Sequence, residues 1–122
     1  MSGSIFIDTN IAIYLLNGNE QIADLLDGKT VCVSFVTELE LLSKPNLSSE
    51  ENSHIRAFLG QCVVMDFFPS LKETIVEFRQ TYRLKLPDAI VAATAFSLGL
   101  PLVTADRDFS RIKPLELILI EF

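Results

Sequence analysis

Five short apolar runs, rich in β-branched residues, alternate with helical segments, and few folds accommodate that pattern. The runs cover residues 4–7, 30–35, 61–67, 102–104 and 115–120. Between them, helical spacing and stop signals predict helices over 9–16, 20–26, 36–42, 48–59, 70–82 and 88–98. Strands that take turns with helices pair in parallel, because each crossover brings the chain back to the same edge. The expected class is therefore α/β: a mostly parallel central sheet of about five strands, covered on both faces by helices in three α/β/α layers.

Local signals support these boundaries. Ser48 with Glu51 and Ser70 with Glu73 have the spacing of a capping box, in which two side chains satisfy free N–H groups reciprocally. Pro87 suits a first helical turn, and Gly99 suits a helix end. Residues 88–98 are apolar nearly all round, which predicts a buried helix. The 122 residues contain no repeat or linker, so one domain over 1–122 is expected. No apolar run approaches the roughly 18 residues that span a bilayer. Met1-Ser2-Gly3-Ser4 carries no leader-like pattern. The expectation is a soluble cytoplasmic protein.

The inventory of reactive side chains is narrow. Cys32 and Cys62 lie in apolar strand-like runs and read as small hydrophobes, too few for a zinc site. The one histidine, His54, lies in a polar segment and reads as a surface residue. A Ser-His or Cys-His triad has no convincing partner set. Any chemistry must run on carboxylates.

Four acids fall where strands become helices. Asp8 ends the first strand, Asp106 follows residues 102–104, Asp88 sits in the first turn of the apolar helix, and Glu40 follows the second strand. Each has an ordinary reading: Asp8 as a helix cap, Asp88 beside a helix dipole, Asp106 in a turn, Glu40 on a solvated helix face. Ligands of open parallel sheets bind outside the carboxyl ends of the strands, where these acids converge. Clustered carboxylates repel one another unless a hard cation such as magnesium or manganese joins them. The net charge of −6 argues against a general nucleic-acid binder. Yet seven of the ten Lys and Arg residues lie from Lys72 onward, leaving room for a local basic rim.

Four stretches carry a resemblance: FIDTN, VSFVTELELLS, LPDAIVAATAFSLGL and LVTADRDF, in that order over residues 5–122. With them the chain resembles a PIN-domain ribonuclease, specifically the VapC-like toxin of a type II toxin–antitoxin system. The resemblance implies a PIN-like fold and an acidic pocket of Asp8, Glu40, Asp88 and Asp106. Of these, Asp8, Asp88 and Asp106 would hold Mg2+ (or Mn2+). Glu40 would orient the attacking water or bind a second ion. Glu40 rather than Glu38 matches, because it follows Ser34 by six residues and precedes Leu41. Thr9, Asn10 and Thr104 match supporting positions, with Thr104 expected to orient Asp106 and Asn10 expected to orient Asp8 or a metal-bound water. Asp108 is left open between site and surface turn. Lys85, Arg107 and Arg111 flank the acids and are candidates for holding RNA phosphates, an inference from clustering alone.

The implied activity is endoribonucleolytic, with an RNA substrate, a cognate antitoxin and a homodimer as partners, and no membrane. Ile11, Tyr14, Leu15, Leu25, Leu26, Leu39 and Leu42 are candidates for an antitoxin groove or dimer surface, with ordinary core as the alternative. Two rival readings differ in class. One is a phospho-receiver, suggested by Asp66 and by Lys113-Pro114, but it would require a strand between residues 70 and 98. The other is a PIN-like scaffold that binds without cleaving.

Overall fold

The computed structural model describes residues 3–122, so the leader-free reading of Met1 and Ser2 lies outside the described residues. The chain runs β1 (Ser4–Ile7), α1 (Thr9–Leu16), α2 (Glu20–Leu26), β2 (Thr30–Ser34), α3 (Phe35–Leu42), α4 (Ser49–Gln61) and β3 (Val63–Met65). It continues through α5 (Leu71–Tyr82), α6 (Leu86–Leu98), β4 (Leu102–Thr104), a 3-10 helix (Arg107–Arg111) and β5 (Leu117–Leu119). Two helices follow β3 with no strand between them, unlike the strict alternation of a receiver.

The five strands form one parallel sheet in the order β3-β2-β1-β4-β5. Residue alternation along the strands assigns side chains to the two faces. Phe6, Cys32 and Leu102 face a core built with Leu71, Ile75 and Phe78 of α5 and Ala89, Ala92 and Ala93 of α6. Ile5, Ile7, Val33 and Val103 face the opposite core, with Ile11, Ile22, Leu41, Ile55 and Leu59 from α1 to α4. The result is the expected three-layer α/β/α arrangement.

The order also locates a switch point. From β1 the chain steps outward through β2 and β3, then returns to the other side of β1 to lay down β4 and β5. The crossovers from β1 and from β4 therefore diverge, leaving a crevice beyond their carboxyl ends. Asp8 and Asp106 follow those two strand ends.

Several local readings change. The Ser48–Glu51 capping box forms in both directions. The Ser70–Glu73 box does not: Ser70 sits in the helical backbone region and its side chain makes no cap hydrogen bond. A capping side chain can reach the N3 amide only from extended backbone, which Ser70 lacks. Helix α6 is buried along most of its length, but Leu86 and Phe96 are exposed at its ends. The strand expected over 61–67 shortens to Val63–Met65, because Gln61 completes α4 and only three residues pair with β2. The last strand shortens to Leu117–Leu119 for the same reason, with three pairs to β4. Cys32 is buried as expected, Cys62 is half-buried, and both are free thiols. Burial pushes the Cys62 thiol up to about 11, so it is inert at neutral pH. Among the described residues no helix is long and apolar enough to cross a membrane.

Candidate metal centre

Each of the four acids is delivered by a different chain segment to one small cavity. That cavity, about 140 Å³, is lined by Asp8, Thr9, Asn10, Glu40, Asp88 and Asp106, with Pro87, Val91 and Phe109 as its apolar wall. Asp8 leaves β1 and caps α1, its Oδ1 accepting from the Ile11 N–H at 2.9 Å. Asp8 thus caps α1 and also lines the cavity. Its Oδ2 accepts from the Thr104 hydroxyl at the end of β4. Asp88 is the third residue of α6, beside the free amides of the first turn. Asp106 caps the 3-10 helix, with Oδ1 accepting from the Asp108 N–H at 2.9 Å.

Glu40 reaches the cavity from α3. The hydroxyl of Thr9 donates to its Oε1 at 2.6 Å. Thr9 lies in turn 2.9 Å from the Thr37 hydroxyl. Glu38 is absent from the cavity lining, as its position two residues from Glu40 requires.

One supporting residue, Thr104, behaves differently from expectation. Thr104 gives its proton to Asp8 and accepts the Asp106 N–H at 3.0 Å, so it orients Asp8 by side chain and Asp106 only through the backbone. Asn10 lines the cavity and is exposed, while the hydrogen bonds to the Asp8 oxygens come from the Ile11 amide and Thr104. Asp108 is exposed in the first turn of the 3-10 helix and outside the cavity lining. Arg107 is exposed and pairs with Glu121 at 3.2 Å. Arg111 donates to the Asp108 carbonyl at 3.3 Å. Lys85 precedes α6 and its charge acts on Asp88.

Thr37 was not singled out from the sequence. Its position three residues before Glu40 places both on one face of a helix, and that spacing was the available signal. Phe109 likewise needed the 3-10 turn, which no periodic pattern announces.

Electrostatics give the cavity its character. Burial pushes the Asp8 carboxyl above its usual range. Hydrogen bonds from Thr104 and the Ile11 amide pull it back, while the charges of Asp106 and Asp88 push it further up. Burial also raises Asp88, reinforced by Asp106 and Glu40 and opposed by Lys85. Among the described residues no three His, Cys, Asp or Glu side chains converge tightly enough to make a ready-formed metal cluster. The all-oxygen donor set still suits a hard divalent cation, whose charge would offset the repulsion felt by Asp8 and Asp88.

Beside the cavity runs a larger groove of about 600 Å³ that shares Thr9, Asn10 and Glu40 with it. Its apolar lining comes from Ile13, Leu16, Leu41, Leu47 and Ile55. None of the seven groove candidates read from the sequence lines it. Ile11 and Leu26 are core, Tyr14 packs at a tilt against Phe122 with ring centroids 4.7 Å apart, and Leu39 is exposed elsewhere on α3. The core alternative therefore holds for Ile11 and Leu26, while Tyr14 and Leu39 remain exposed.

An acid-lined cavity at the switch point of a five-stranded parallel sheet defines the class of site. Comparison with known proteins defines the family. The PIN-domain model matches residues 5–114, and the chain belongs to the PIN-domain family. No curated protein matches it significantly. Among solved structures it is similar to a toxin–antitoxin complex from Klebsiella pneumoniae, with 28% identity over 97% of this chain and 99% of that one and a TM-score of 0.83. It shares the fold of VapBC2 from Rickettsia felis, solved with a DNA fragment from their promoter, at 23% identity, 97% and 99% coverage and a TM-score of 0.86. A third is VapBC-5 from Mycobacterium tuberculosis, a member of the VapBC family of toxin–antitoxin systems, at 21% identity, 97% and 99% coverage and a TM-score of 0.72.

Proposed function

We propose that this protein is a divalent-metal-dependent endoribonuclease and the toxin of a toxin–antitoxin pair, working in the cytoplasm as one domain over residues 1–122. The observation that carries the reading is the meeting of Asp8, Glu40, Asp88 and Asp106 around one cavity, on a PIN-domain fold. Its structural neighbours, toxin–antitoxin complexes among them, support the partner half of the proposal.

Asp8, Asp88 and Asp106 would hold Mg2+ or Mn2+, and Glu40 would orient water at the cavity mouth. A bound cation would supply a nucleophile usable at neutral pH and offset charge on the phosphate. The chain's own residues do the rest. Thr104 and the Ile11 amide fix Asp8, the Asp108 amide fixes Asp106, and Thr9 fixes Glu40. Val91 and Phe109 give the cavity a buried apolar lining. Lys85, Arg107 and Arg111 would contact flanking RNA phosphates.

The groove beside the cavity is the proposed seat of the antitoxin. Its lining is mixed, with Ile13, Leu16, Leu41, Leu47 and Ile55 beside Asn17, Lys44, Glu51 and His54, and it shares Thr9, Asn10 and Glu40 with the cavity, so a bound segment could place a basic side chain against the acids. Self-association as a homodimer belongs to the same reading. Nothing observed favours a silent scaffold, since all four acids reach the cavity. Metal-dependent cleavage of RNA by the isolated protein, abolished by Asp88→Asn, tests the proposal.

A further inference from the structure

We propose that Thr37 is a positioning residue that sets Glu40 in the cavity through Thr9; this rests on the reading of Glu40 as part of a nuclease site. Thr37 is completely buried, whereas Glu40, on the same helix face, is exposed. The Thr37 and Thr9 hydroxyl oxygens are 2.9 Å apart, and Thr9 donates to Glu40 Oε1 at 2.6 Å. A threonine hydroxyl carries one proton, and an ionised carboxylate only accepts. The proton of Thr9 is therefore committed to Glu40, and Thr9 must accept the proton of Thr37. The relay runs one way, from Thr37 to Thr9 to Glu40.

This arrangement solves a physical problem. A long exposed carboxylate samples many rotamers, and holding it in one costs entropy. A buried β-branched side chain is already stiff. Thr37 transmits that stiffness outward, and hydrogen bonds in series polarise and strengthen one another. The relay also ties α3 to α1, setting Glu40 relative to Asp8, the residue before Thr9.

A threonine inside a helix ordinarily bonds back to the carbonyl four residues earlier. Thr94 of α6 does so, donating to the Ile90 carbonyl at 2.6 Å. Thr37 instead directs its hydroxyl across to another helix. Thr94 is equally buried and has no link to the cavity, so it is the internal control.

The test compares Thr37→Val, Thr37→Ser and Thr94→Val by RNA cleavage with Mn2+ and by the Glu40 side-chain carboxyl resonance in carbon-detected NMR. Thr37→Val should lower kcat about three- to tenfold with KM within about twofold, and Thr37→Ser should restore it. In a Glu40→Gln background Thr37→Val should add nothing, whereas a merely structural role would lower activity in either background. The Glu40 resonance should move in Thr37→Val and stay in place in Thr94→Val. If Thr37→Val does not fold, the wild-type Thr37 hydroxyl proton decides: slow exchange and a contact to Thr9 support the relay, rapid exchange overturns it. An unmoved Glu40 resonance, or an equal loss in the Glu40→Gln background, also overturns it. The NMR arm needs no catalysis, so a wild type that cuts no RNA overturns the nuclease reading and leaves the relay standing or falling on its own.

Discussion

The hydroxyl of Thr104 donates to Asp8 Oδ2 across 96 residues of sequence, joining the ends of the two strands that flank the switch point. The same hydroxyl accepts the Asp106 N–H. One buried oxygen thus fixes two of the four acids.

Thr104→Val keeps the shape of the side chain and removes both bonds. It leaves the Asp8 carboxylate and the Asp106 amide short of a partner in a buried setting. The expected cost is about 2 kcal/mol of stability, with activity reduced as well. Urea denaturation checks the first, and RNA cleavage the second. An unchanged midpoint would mean that water replaces the hydroxyl.

Asp8 and Asp88 have folded-state pKa values raised above the unfolded value of 3.8, chiefly by burial. Between the unfolded and folded values the native state binds more protons, so stability falls as pH rises through that window. The metal-free protein should therefore be more stable just below pH 4 than at neutral pH as far as these two groups are concerned. Asp88→Asn should stabilise the metal-free protein at neutral pH while abolishing cleavage. Thermal melts across pH, with and without Mn2+, check this. Added Mn2+ should raise the wild-type midpoint more than that of Asp88→Asn.

The two serine caps should separate cleanly. Ser48→Ala loses a formed capping box and should cost about 1 kcal/mol. Ser70→Ala loses no cap hydrogen bond and should cost less than about 0.5 kcal/mol. Paired denaturation curves decide the matter.

Arg107, the residue after Asp106, pairs with Glu121 at 3.2 Å on the exposed surface. Their exposed ion pair contributes little stability, so Glu121→Gln should leave the melting midpoint nearly unchanged. It should instead free Arg107 and tighten RNA binding. Arg107→Ala should weaken binding and reduce the salt slope by about one phosphate contact. Binding to a labelled RNA by the Asp88→Asn variant, over a range of salt, measures both.

How much of this was legible depends on what kind of signal each residue leaves. Strand and helix alternation is written in periodicity, so the parallel sheet and its two covered faces could be read directly. Asp8, Asp88 and Asp106 stand at element boundaries, which the sequence marks with caps, Pro87 and short aliphatic runs. Glu40 was separable from Glu38 only through the resemblance in VSFVTELELLS. The partners of side chains were harder to read. Thr104 lies two residues from Asp106 and 96 from Asp8, yet its proton goes to the distant acid, because parallel pairing of β1 with β4 brings them together. Thr37 was missed for the same reason: its partner Thr9 is 28 residues away. Apolar residues of α1 to α3 could not be divided between core and surface from sequence, since Ile11 and Leu26 are buried while Tyr14 and Leu39 are exposed. Ser70 misled because capping-box spacing does not guarantee extended backbone at the cap.

The central claim is metal-dependent RNA cleavage by the four-acid cavity. The most direct measurement incubates a labelled RNA pool with antitoxin-free protein in Mg2+, Mn2+ or EDTA, beside Asp8→Asn and Asp88→Asn of confirmed fold. The account predicts discrete cleavage in a divalent metal, none in EDTA and none in either variant. Cleavage that persists in EDTA, or in both folded variants, would contradict it.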